Sequence, residues 1–94
     1  MSTNLYALPD GRTFRQPSAG KPYVVLLEPT DTAPVHVEAR SIDSAAAFRK
    51  AHAAVRRLGL ARAVYVLNRF TGVVVRVTVG RTPYSDPYVP EPRP

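Results

Sequence analysis

The chain has 94 residues, a formal net charge of +6 and no cysteine. This length suits one small domain with a modest core, and the lack of cysteine excludes disulfides, thiolate metal sites and a cysteine nucleophile. Apolar runs such as Val24 to Leu27 are far too short to cross a bilayer, and the polar start does not resemble a signal peptide, so we expect a cytoplasmic protein.

The first 21 residues predict an N-terminal arm or a short hairpin. Leu5 to Leu8 and Arg12 to Arg15 flank Pro9-Asp10-Gly11, a sequence that favours a tight turn. Two strands of this length are not stable alone, so we expect them to need support from the rest of the chain.

Two strands are predicted next. Tyr23 to Leu27 has apolar residues at both odd and even positions, which is typical of a strand covered on both faces. In the second strand, Val35 to Arg40, the two valines and Ala39 alternate with polar residues, which predicts one inward and one polar face.

A helix follows the second strand. Asp43 and Ser44 are good N-cap residues, Ala45 to Leu58 contains helix formers, and Gly59 ends the run. At about 100° per residue the apolar side chains gather on one side, and the predicted core anchors are Phe48, Val55 and Leu58.

The last regular elements form a hairpin. Ala63 to Leu67 and Val73 to Val79 are predicted strands, and Asn68 and Gly72 suit the turn between them. Gly80 to Pro94 holds five of the ten prolines and predicts an extended, polyproline-like tail.

The pattern as a whole predicts an α+β fold with the order β-β-α-β-β, in which a four-stranded, mostly antiparallel sheet carries one helix on one face. The divisions are 1–21 for the arm or hairpin, 22–80 for the core domain and 81–94 for the tail. One helix cannot cover both faces of such apolar strands. The second face is therefore expected to be covered by Leu5, Tyr6, Leu8 and Phe14, or by another chain, for which a homodimer is one option.

Residues for catalysis or metal binding form no convincing constellation. No nucleophile motif, phosphate-binding glycine loop or dinucleotide fingerprint occurs, so we predict no enzyme and no cofactor. His36 and Glu38 share a strand face and His52 lies on the helix, but an alternating polar face explains this pattern better than a metal does.

The cations of the helix are the main candidate contact surface. Five cations and no anion lie between Ser44 and Arg62. Four of them form a patch two turns long that suits phosphates or an acidic protein surface: Arg49, Lys50, Arg56 and Arg57. A solvated basic face with acids on neighbouring loops is the alternative interpretation.

Aromatic residues suggest two further contacts. Tyr65 and Tyr23, with Arg40 and Arg76 beside them, could form an RNA-binding sheet surface, although core packing explains both tyrosines more simply. In the tail, Tyr84 and Tyr88 each follow a proline, so an extended backbone would present two rings to a partner.

These features predict a small non-enzymatic protein-binding module, a subunit, adaptor or inhibitor, that uses the basic helix face and the Tyr-Pro tail. Small accessory proteins of phages and mobile elements often have this size, lack of cysteine and extended ends, which is an analogy of class and not of motif. The alternative is a nucleic-acid-binding protein that contacts phosphates through the same helix face.

Overall fold

The computed structural model describes residues 2–59 and 61–78. The elements in these ranges are, in chain order, β1 Thr3–Ala7, β2 Thr13–Pro17, β3 Tyr23–Leu27, β4 His36–Ser41, α1 Ser44–Leu58, β5 Val64–Asn68 and β6 Val73–Val77. The α+β class and the β-β-α-β-β order after an N-terminal hairpin are confirmed. Val79 and the tail predicted from Gly80 to Pro94 lie outside the described residues.

Two antiparallel sheets form the architecture. Strands β1 and β2 pair with each other, and the other four form a sheet in the order β4-β3-β5-β6. The two most apolar strands, β3 and β5, are therefore central, which agrees with the apolar residues that both carry at either parity. Helix α1 packs on one face of this sheet and the β1-β2 hairpin on the other.

The cluster beneath α1 interleaves helix and strand side chains. The predicted anchors Phe48 and Val55 are buried in it, while Leu58 is partly buried and packs against it. Three alanines, at positions 47, 51 and 54, are also buried there and let the helix approach the sheet closely. The strand residues that face the helix complete the cluster: Val25, Leu27, Val64, Val66 and Val77.

The hairpin covers the second face, as one of the two predicted arrangements requires. Tyr6 and Leu8 are buried against the residues of β3 and β5 that point away from α1, and Phe14 is partly buried beside them. Leu5 does not join them, because it lies one position from Tyr6 on the pleat and points away, with 56% of its surface exposed. A homodimer through this face would have to displace the hairpin.

The alternation predicted for Val35 to Arg40, which corresponds to β4 in the structure, is wrong. Ala39 is opposite Val25, but Val37 is opposite the next residue of β3, so Glu38 is the extra residue of a β-bulge. The bulge places Ala39 in the cluster under α1, while Val35 and Val37 pack in the cluster under the hairpin. The strand therefore serves both faces of the sheet.

Candidate partner-binding surfaces

The basic face formed by the cations of α1 belongs to a helix with a cap at each end. The Asp43 side chain accepts the N–H of Ala46 at 2.9 Å as the N-cap. At the other end, Gly59 has a φ of 60° and donates its N–H to the carbonyl of Val55 at 2.7 Å. With the alanine-rich side of α1 held against the sheet, the cations on the opposite side face solvent.

The four predicted cations, Arg49, Lys50, Arg56 and Arg57, are all exposed, and Ala53 lies between them on the same side. The stripe follows from their spacing, since residues four and seven positions apart return to the same side of a helix. Arg49 and Arg56 are separated by about 10 Å along the axis at 1.5 Å per residue.

These cations differ in their contacts. Arg57 forms a salt bridge with Glu38, with 2.9 Å between Nη2 and Oε2. Lys50 Nζ lies 3.5 Å from the carbonyl oxygen of Arg40. Arg49 and Arg56 form no ion pair with any residue in 2–59 or 61–78.

The β4 bulge explains the position of Glu38, because the extra residue carries its carboxylate to the side of the sheet where α1 lies. The interpretation of a solvated face with nearby acids therefore holds for Arg57, although its acid lies on a strand rather than on a loop. The other three cations have no carboxylate partner among the described residues.

The sheet surface is not an aromatic platform. Tyr65 is only 4% exposed because the hairpin covers it, so core packing is confirmed for this ring. Tyr23 is partly buried, and its ring forms a T-shaped pair with the Phe70 ring, with 6.4 Å between ring centroids. The predicted tail residues Tyr84 and Tyr88 lie outside the described residues.

The His36, Glu38 and His52 combination forms no metal centre in the part of the chain that the structure describes. No group of three or more His, Asp or Glu side chains there is arranged to hold a metal ion. Glu38 binds Arg57 instead.

Sequence reasoning missed a groove of about 690 Å³ near the C-terminal end of α1. Its apolar wall includes Val55, Val64 and Val77, and its polar groups include Arg12, Glu28 and Arg62. No local pattern could have indicated it, because Glu28 and Arg62 are 34 positions apart.

The polar groups of the groove mostly hold the fold together. The Glu28 carboxylate accepts the backbone N–H of Ala63 at 2.8 Å and lies 3.4 Å from Arg12 Nη2. Arg62 Nε donates to the Glu28 carbonyl at 2.7 Å, while Arg62 Nη2 is buried without a partner. A nitrogen that solvent cannot reach is also closed to a ligand entering from the groove.

Asp10 and Arg12 form an ion pair at the rim of this groove. Hydrogen bonds from the side chain and then the backbone of Arg12 hold the pKa of Asp10 below its ordinary value. The carboxylate raises the pKa of Arg12 in return. This pair closes the β1-β2 turn, where Leu8 N–H donates to the Arg12 carbonyl at 2.8 Å.

Comparison with known proteins adds no functional information. No protein-family model, no curated protein and no solved structure matches the chain. No helix within residues 2–59 and 61–78 is long and apolar enough to span a membrane.

Proposed function

We propose that the chain is a small non-enzymatic protein-binding module, acting as a subunit, adaptor or inhibitor, whose helix α1 contacts an acidic surface of its partner. The observation that carries this proposal is the exposed cation stripe of α1, in which Arg49 and Arg56 have no acidic partner among the described residues. Like charges on one helix face repel each other, and a partner's carboxylates relieve that repulsion.

The salt bridge between Arg57 and Glu38 at the border of the helix face favours protein over nucleic acid as the partner. Nucleic-acid binding through charge needs cations that are free to contact phosphates. Arg57 is already paired with Glu38, which leaves three helix cations for such contacts. The Glu38 carboxylate at the border of the face also opposes the approach of a continuous phosphate backbone.

The polar groups of the groove are used within the fold, which favours a non-enzymatic role. Glu28 and Arg62, which a reaction would need as free groups, make hydrogen bonds that join the residue after β3 to the segment before β5. The Tyr84 and Tyr88 tail contact remains part of the proposal, because proline-restricted backbones lose less entropy on docking.

The proposal is tested by comparing two double variants with the wild type in affinity purification from the native host, with and without nuclease. Arg49→Glu/Arg56→Glu should abolish partner recovery because it reverses the charge of the stripe. Arg15→Glu/Arg76→Glu makes the same change in net charge at exposed residues outside the helix and should leave recovery unchanged.

Equal recovery with both double variants would refute the role of α1. Recovery that nuclease treatment abolishes, together with a gel shift lost between low and physiological salt, would assign the face to nucleic acid instead.

A further inference from the structure

Three large apolar side chains are exposed at one end of the four-stranded sheet. Ile42 lies just before α1 and is 76% exposed, while Phe70 and Val73, in the β5-β6 turn and at the start of β6, are 78% and 54% exposed. The strand registers bring the end of β4, the start of β3 and the end of β5 side by side at this end of the sheet. We call Ile42, Phe70 and Val73 the apolar end.

Phe70 is held in place by its own turn. The Asn68 side-chain oxygen accepts the N–H groups of Phe70 at 2.9 Å and Thr71 at 3.4 Å. Gly72, with a φ of 77°, donates its N–H to the Asn68 carbonyl at 2.8 Å. The Phe70 and Tyr23 rings form a T-shaped pair, so one side of the Phe70 ring has an aromatic neighbour while 78% of its surface remains exposed.

A second loop braces the turn. Arg69 donates its backbone N–H to the Pro22 carbonyl at 2.8 Å and its Nη1 to the Ala19 carbonyl at 2.7 Å. Gly20 has a φ of 122°, and a Cβ there would lie 2.7 Å from Arg69 Nη1, so the glycine permits this close contact. A partner that binds Phe70 therefore meets a pre-ordered aromatic ring at little cost in entropy.

Positive charge surrounds the apolar end. Lys21 precedes β3, Arg69 follows β5, and Arg40 lies near the end of β4 with Lys50 beside its carbonyl. Asp43 also lies at this end, but its carboxylate caps α1. A second copy of the chain would bring the same cations together, so charge complementarity favours an acidic partner.

We infer that the apolar end is the anchoring part of the interface, and that the partner protein presents an apolar pocket rimmed by carboxylates to receive Phe70. The inference rests on the proposed function, because α1 begins at the same end of the sheet and its N-terminal half carries Arg49 and Lys50. Buried aromatic anchors surrounded by polar contacts are where protein interfaces concentrate their binding energy.

The probe for this inference is a random twelve-residue peptide library selected on the immobilised full chain. The expected peptides carry an aromatic or large aliphatic residue flanked by Asp or Glu. Fluorescence anisotropy with the synthetic peptides should show binding about tenfold or more weaker for Phe70→Ala than for the wild type, as for an interface anchor. Leu5→Ala, a change at an exposed leucine on the outer side of the hairpin, is the matched control and should bind like the wild type.

A proton–nitrogen correlation spectrum checks that Phe70→Ala is folded. Ile42→Gln serves as a second variant at the same end, and weaker binding is expected for it as well. Selected peptides that lack carboxylates, a library without enriched peptides, or equal binding by Phe70→Ala and the wild type would overturn the inference.

Two further outcomes would also overturn it. The first is self-association that Phe70→Ala abolishes in sedimentation, and the second is binding to phosphatidylserine vesicles that the same variant abolishes. The helix variant Arg49→Glu/Arg56→Glu separates the two proposals. Loss of peptide binding in that variant but not in Phe70→Ala would leave the proposed function standing and remove the anchor. Loss in neither variant would also remove the anchor, and the proposed function would fail separately only if Arg49→Glu/Arg56→Glu left partner recovery in the affinity purification unchanged.

Discussion

The two faces of the central sheet are covered by different means. Helix α1 buries five side chains over 15 residues and has a cap at each end, Asp43 and Gly59. The β1-β2 hairpin buries only Tyr6 and Leu8, with Phe14 partly buried beside them. One cover therefore distributes its packing over many close contacts, while the other depends on a few large side chains and can move more freely when one of them is lost.

The largest expected effect is on the helix side. Phe48→Ala should lower the free energy of unfolding by about 3–5 kcal/mol, because the ring is buried among neighbours that capped helix and sheet hold in place. Thermal and urea denaturation measure the change. An unchanged midpoint would mean that Phe48 does not anchor α1.

A smaller effect is expected on the hairpin side. Leu8→Ala should cost about 2–3 kcal/mol, at the low end for a buried leucine, because a two-stranded cover can shift into the space left behind. The same denaturation experiments apply, with Leu5→Ala as the exposed control on the same hairpin. A cost above that of Phe48→Ala would contradict the ranking of the two covers.

The smallest expected effect concerns the ion pair that closes the hairpin. Since Arg12 lowers the pKa of Asp10 in the folded chain, the pair contributes stability above the ordinary pKa of an aspartate, and this contribution is lost as the pH falls through the lowered value. Arg12→Gln should move the pKa of Asp10 back towards its ordinary value. An NMR titration of the Asp10 carboxyl carbon measures this shift, and an unchanged pKa in the variant would refute the pairing.

Elements with local signals were predictable from the sequence. The helix begins and ends where Asp43 and Gly59 indicate, because N-cap preference and positive φ depend on single residues. The exposed cation stripe was predictable for a similar reason, since helical spacing alone determines which residues share a side.

Features that depend on pairing between distant segments were not predictable. A regular alternation in β4 suggested one inward face, whereas the bulge at Glu38 arises from how β4 pairs with β3. The position of the Arg69 side chain depends likewise on the loop at Gly20, where the Ala19 carbonyl, 50 positions away, accepts a hydrogen bond from Arg69 Nη1. No local pattern carries either fact.

The strand order also has a consequence for how the chain reaches its folded state. Pairing within β3-β4 and within β5-β6 joins residues between 5 and 18 positions apart. The central pairing of β3 with β5 joins Leu27 to Val64 and Tyr23 to Asn68, which are 37 and 45 positions apart. Loop-closure entropy rises with chain separation, so we expect the two local hairpins to form quickly and the closure that brings them together across α1 to limit the rate of folding.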